Sequence, residues 1–185
     1  MGKTSVANAV SRLLDIPRVD LSREVIEKGL YVEFDEKRRS YVIDEERVRK
    51  YLRDLYSEIG PFVLDSHYAE ITPKDILELV VVLRLDPAKL LDRLVARGWP
   101  MAKVAENVEA ELLSIPTLNA IEELGEEMVV EIDVTGKSPE EVAQEIVSIL
   151  FGDTPIELGH RIDWLSTLPL EKLDYILRFV EAHRS

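Results

Sequence analysis

The run Leu79-Val80-Val81-Val82-Leu83-Arg84-Leu85 constrains this chain more than any other segment. It is β-branched and almost continuously apolar, the pattern of a parallel strand covered on both faces. Such a strand needs helices above and below it, and the sequence supplies them. Pro61-Phe62-Val63-Leu64-Asp65 and Met128-Val129-Val130-Glu131-Ile132-Asp133-Val134 read as two further strands, and Ile16-Pro17-Arg18-Val19-Asp20 as a weaker fourth. A helix from Ser5 to Leu14 carries Val6, Val10, Leu13 and Leu14 on one face. Another, from Asp44 to Ile59, carries Val48, Leu52 and Leu55. Asp86 is an N-cap and Pro87 a first helical residue for a helix reaching Arg97. Ala102 to Leu124 is amphipathic and broken or kinked near Pro116. Ser138-Pro139-Glu140-Glu141 opens a helix to Leu150 with cap, proline and acidic first turn in agreement. Alternation in Tyr31–Phe34 and Ser40–Ile43, around the charged turn Asp35–Arg39, predicts a small β-hairpin. After the break at Gly152-Asp153-Thr154-Pro155, one or two helices follow. Their apolar set is Trp164, Leu165, Leu168, Leu173, Ile176, Leu177 and Val180. Strands alternating with helices imply an α/β fold with an open, mostly parallel sheet.

With 185 residues the chain can bury a sizeable core. It has no cysteine, which excludes disulfides, thiolate metal sites and cysteine nucleophiles. The net charge of −13 opposes nucleic-acid binding by the molecule as a whole and favours basic protein partners. No run of roughly 18 apolar residues is present, and no signal-peptide pattern precedes the first helix. The expectation is a cytoplasmic protein without a membrane span.

Chemistry concentrates at strand ends. Gly2-Lys3-Thr4-Ser5, opening the first helix, is the back half of the phosphate-binding loop G-x-x-x-x-G-K-[ST]. In that loop the lysine reaches phosphates and the hydroxyl binds Mg²⁺. The strand and glycines that normally precede it are not in the sequence, and a sheet without that central strand has a gap. The alternative is that Thr4 simply caps a helix. Asp65-Ser66-His67 ends a strand where an acidic residue can organise Mg²⁺; otherwise Asp65 caps the next turn and His67 is an ordinary loop residue. Arg93 and Arg97 lie four apart, before Gly98-Trp99-Pro100 and Lys103. They suit a triphosphate, or else form a solvated face pairing with Asp92 or nearby glutamates. In Asp20-Leu21-Ser22-Arg23, Arg23 can hold a second phosphate, while Asp20 or Ser22 can serve as an N-cap.

Together these segments resemble the adenylate kinase isoenzyme 6 family, also called CINAP, of P-loop nucleoside monophosphate kinases. The likeness rests on Gly-Lys-Thr-Ser before the first helix, Val19–Glu24, Ile43–Val48, Val63-Leu64-Asp65-Ser66-His67, Val82–Asp86, Arg93–Trp99 and Glu106–Glu111. It spans about residues 2–150. The Asp-x-His element and the Arg-Gly-aromatic lid are its specific parts. The resemblance implies a three-layer P-loop kinase fold over 1–150, lacking here its first strand and the front of the loop. A monophosphate-binding segment would fall at about 20–43 and a lid at about 96–106, with 151–185 as a helical extension. It implies ATP and Mg²⁺ as cofactors. Gly2, Lys3, Thr4 and Ser5 would hold phosphates, with Thr4 and Asp65 on the metal. Asp65 would organise Mg²⁺ and water, supported by His67. Arg97 and Arg93 would clamp the transferring phosphate, Lys137 would lie near the adenine, and Asp20 and Arg23 would meet AMP or another monophosphate. It further implies ATPase activity and a role in rRNA processing through a basic small-subunit ribosomal protein, with pre-ribosomal RNA contacted through that partner.

Overall fold

The computed structural model describes residues 2–35 and 40–184. The chain divides into two units, Gly2–Glu78 with Pro139–Thr154, and Leu79–Ser138 with Pro155–Ser185.

In the first unit, helix α1 (Lys3–Leu14) follows Gly2, whose φ of 86° only glycine adopts without strain. Val6, Ala7, Ala9 and Val10 form its buried stripe. Strand β1 (Arg18–Asp20) runs straight into α2 (Leu21–Glu27), which Asp20 caps by accepting from the Arg23 N–H. Strands β2 (Tyr31–Asp35) and β3 (Ser40–Ile43) form the expected antiparallel hairpin. Its turn, Glu36–Arg39, lies outside the described residues. Helix α3 (Glu45–Ile59) is capped by Asp44 and followed by β4 (Val63–Asp65). Leu21, Val25, Leu30, Val48, Leu52 and Ile71 build one core here. Val48 and Leu52 are fully buried, each contributing about 1.5–3 kcal/mol.

The second unit begins with β5 (Val80–Arg84), α4 (Pro87–Ala96), α5 (Met101–Leu112), α6 (Ile115–Leu124) and β6 (Val129–Asp133). The next helix, α7 (Pro139–Leu150), returns to the first unit and packs on α1. The short α8 (Trp164–Thr167) and α9 (Leu170–His183) complete the second unit, with α9 against α5.

Of the two expectations for Ala102–Leu124, the break near Pro116 is the one observed, and the stretch is two helices. Pro116 has no N–H and its ring would strike the carbonyl four residues back. The helix therefore ends at Leu112, Ser114 takes a left-handed φ of 57°, and Pro116 sits in the first turn of α6. The parallel strands pair as two two-stranded sheets, β1–β4 and β5–β6.

The second unit has a polar centre. Arg84 is fully buried, and all five of its guanidinium N–H donors have acceptors. Nε donates to Glu111 at 2.8 Å, Nη1 to Glu131 and the Ile162 carbonyl, and Nη2 to the Glu111 carbonyl and Ser114 Oγ. Glu111 also accepts from Trp164 Nε1 at 2.8 Å, and Glu131 from Thr117 and the backbone of Arg161 and Ile162. The tail is thereby fastened to this unit, with Lys172 pairing Asp86 at 2.8 Å. Trp164, Ile176 and Val180 are buried, whereas Leu165 and Leu177 of the expected apolar set are exposed. Arg84→Ala should cost about 3–5 kcal/mol, because two buried carboxylates lose their counter-charge. Urea denaturation measures this. Arg84→Met combined with Glu111→Gln and Glu131→Gln should lose less than Arg84→Ala alone.

Candidate functional site

The first unit gathers a charged cluster at the ends of β1 and β4. The strands pair in parallel with Arg18 opposite Val63 and Asp20 opposite Asp65. Paired residues share a face and alternate residues repeat it. Arg18, Asp20 and Asp65 are therefore on one side of this ribbon, with Val19 and Leu64 on the other.

Asp65 is nearly buried, its side chain 7% exposed, and Arg18 Nη1 donates to its Oδ2 at 2.8 Å. The same nitrogen lies 3.6 Å from Asp20 Oδ2. Asp65 thus has a cation as its partner and does not cap the following turn. That turn is held by Ser66 Oγ, which accepts from the Tyr68 N–H at 2.8 Å.

Lys3 reaches the cluster from the first turn of α1. Its Nζ is 2.9 Å from Nδ1 of His67. Burial pushes the Lys3 ammonium down from its ordinary pKa, opposed by the negative charges of Asp65 and Asp20. Burial, and then the charge of Lys3, push His67 down as well. A lysine ammonium can only donate, so Nδ1 of His67 is the acceptor and the ring proton sits on Nε2. Thr4 and Ser5 are exposed beside Lys3. The N–H groups of this first turn have no carbonyl of the helix to bond, and the helix dipole is positive there.

The other expected site residues are placed differently. Asp20 is the N-cap of α2. Arg23 is exposed, and its Nε donates to Glu27 at 2.6 Å. Arg93 and Arg97 are exposed at the end of α4 in the second unit, and neither guanidinium pairs with a described residue. They are not the salt-bridged helix face that pairing with Asp92 would give. Lys137 follows β6 in the same unit, its N–H donating to the Val134 carbonyl. Sequence reasoning missed Arg18. The signal was the alternation Arg18-Val19-Asp20, which places Arg18 and Asp20 on one face of a strand.

Thr4 and Asp65 offer hydroxyl and carboxylate oxygens, the hard donors Mg²⁺ accepts when phosphates and water complete its shell. The residues present fit that ion.

A family model described as an AAA domain matches residues 1–114. A protein of Saccharolobus islandicus named "Putative adenylate kinase" is 38% identical over 181 residues, covering 98% of this chain and 93% of the relative. Proteins of the same name from Thermococcus onnurineus and Methanococcus maripaludis are 36% and 35% identical, covering 88% and 89% of this chain and 85% and 90% of those relatives. The chain belongs to the P-loop nucleotide kinase family. Its mixed α/β architecture with parallel sheets is the nucleoside monophosphate kinase type of fold. No described helix is long and apolar enough to cross a membrane.

The Lys3–His67 pair carries a pH signature. A histidine whose folded pKa lies below its ordinary 6.5 contributes stability above that value, and the contribution is lost as pH falls through the folded pKa. Proton NMR should find His67 titrating below 6.5. Lys3→Met should raise the midpoint, and His67→Gln should flatten this part of the acid dependence of stability.

Proposed function

We propose that the protein is a Mg·ATP-dependent nucleoside monophosphate kinase that converts ATP and AMP to two ADP. The observation that carries this is the convergence of Lys3, Asp65 and His67 around the start of α1, in a chain related to proteins named for adenylate kinase activity. In the transfer, an oxygen of the acceptor phosphate bonds to the γ-phosphorus of ATP. The bond from that phosphorus to the β,γ-bridging oxygen breaks, and the electron pair leaves on the β-phosphate. Such reactions are catalysed chiefly by positioning and by neutralising the phosphoryl oxygens.

Lys3, with Gly2, Thr4 and Ser5 around it, holds the donor phosphates on the positive end of α1. Thr4 and Asp65 would hold Mg²⁺, which supplies charge neutralisation on the phosphates. His67, kept neutral, accepts from Lys3 and fixes the direction of its ammonium. Arg97, in a lid over about 96–106, and Arg93 just before it clamp the transferring phosphate; neither guanidinium pairs with a described residue. The acceptor binds over about 20–43 beside Asp20 and Arg23, and Lys137 lies near the adenine. Residues 1–150 form the kinase domain and 151–185 a helical extension of it. Water replaces the acceptor in a slower ATPase reaction. The family likeness to CINAP and the charge of −13 support work in the cytoplasm on small ribosomal subunit assembly and rRNA processing. The partner is then a basic ribosomal protein, through which pre-ribosomal RNA is met.

ADP formation with and without AMP tests the reading. AMP should raise ADP output well above the ATP-only rate. Lys3→Ala should lower turnover by about 100-fold or more, and Asp65→Asn should do the same. Unchanged turnover in Lys3→Ala would sink the phosphate-loop assignment.

A further inference from the structure

The geometry points to Arg18 as a positioning residue for the metal-organising carboxylate, acting through Asp65 rather than on the substrate. This rests on the kinase reading given above. Asp65 ends a strand of only three residues, so little backbone pairing holds its carboxylate in one orientation. Its charged contact is Arg18 Nη1, 2.8 Å from Oδ2, and its Oδ1 makes no hydrogen bond to a described residue. One oxygen is thus fixed by a guanidinium and the other keeps its lone pairs. A carboxylate held this way presents its free oxygen to a hard cation in one direction, because partners behind a metal ligand set its orientation.

The placement is built into the fold. Arg18 and Asp65 are on neighbouring parallel strands and on the same face, through the pairings Arg18–Val63 and Asp20–Asp65. The arginine is itself mostly buried, its side chain 23% exposed. A long exposed side chain would lose more rotamer entropy in holding one geometry. Asp20 Oδ2, 3.6 Å from the same Nη1, offsets the guanidinium charge. The clamp therefore does not set an uncompensated cation beside the metal. Lys3, which interacts with Asp65 and Asp20 electrostatically, remains the cation directed at phosphate.

The test is nucleotide binding by calorimetry, with a non-hydrolysable ATP analogue, in Mg²⁺ and in EDTA. The proteins are the wild-type chain, Arg18→Gln and Arg18→Lys, each with a melting curve. Wild type should bind more tightly with Mg²⁺. Arg18→Gln should lose about tenfold of that Mg²⁺ enhancement, with affinity in EDTA unchanged. Arg18→Lys should recover part of it, and keeps the test informative if the glutamine variant melts early. A merely structural role would lower affinity equally with and without Mg²⁺, and that result overturns the inference. So does an unchanged Mg²⁺ response, and so does a stronger one, which would mean that Arg18 competes with the ion. A wild-type chain that binds nucleotide with no response to Mg²⁺ removes the inference together with its metal site. A wild-type chain that binds no nucleotide removes the kinase reading itself.

Discussion

The register of two short parallel strands decides where the charged site can be. In the β1–β4 pair, Val19 is opposite Leu64, and both meet apolar surroundings; Val19 is 7% exposed and Leu64 packs on the core around Leu21 and Val25. Side chains alternate with a period of two, so a slip of one residue would bury Asp65 or Asp20 where an aliphatic group belongs. Burying a carboxylate in place of an apolar group is costly unless it is paired. The apolar face thus fixes the register, and the polar face inherits Arg18, Asp20 and Asp65 side by side. Helix α1, through Val6, Ala7, Ala9 and Val10, is pressed against this unit by the same apolar force and carries Lys3 with it. The meeting of Lys3 with His67 is a consequence of packing.

The second unit solves a different problem. Its strand β5 ends in Arg84, a residue that burial alone would expel. Arg84 stays because Glu111 on α5, Glu131 on β6, Ser114 in the break between α5 and α6, and the Ile162 carbonyl in the tail together take all five of its donors. Burial pushes the Glu111 carboxyl up, but Arg84, Trp164 and the Leu85 N–H all favour its ionised form. Such networks are weak arguments for net stability. Their effect is on uniqueness: every partner must be present for none to be left unsatisfied. Among the described residues no buried side-chain polar atom lacks a partner. The left-handed turn at Ser114 belongs to this arrangement, since it brings the hydroxyl to Arg84 and to Nε2 of His160 at 2.9 Å.

What was legible in the sequence was local. Asp86 caps the helix it precedes, and Pro87 and Pro139 open theirs. The continuous run around Val80–Leu83 is a parallel strand. The misses are non-local or too short to have a period. Helix α2 has seven residues, fewer than a helical pattern needs to declare itself. The role of Arg84 had no local signal, because its partners lie 27 and 47 residues away. The Lys3–His67 contact spans 64 residues. In the tail, more apolar residues were available than one helix face can bury. Composition could not say that Trp164, Ile176 and Val180 go inside while Leu165 and Leu177 stay out.

The charges of the first unit's site limit what it can do unaided. Lys3 and Arg18 bring two positive charges, and Asp20 and Asp65 two negative ones. With His67 neutral, the cluster sums to zero. A polyphosphate brought to it adds negative charge that Lys3 alone meets directly, since Arg18 is already bound to Asp65. Lys3 has three donors, and one bond to His67 leaves two for phosphate oxygens. A phosphate held there gains from further positive charge, and Arg23 of the same unit is engaged. Arg23 would first have to leave Glu27.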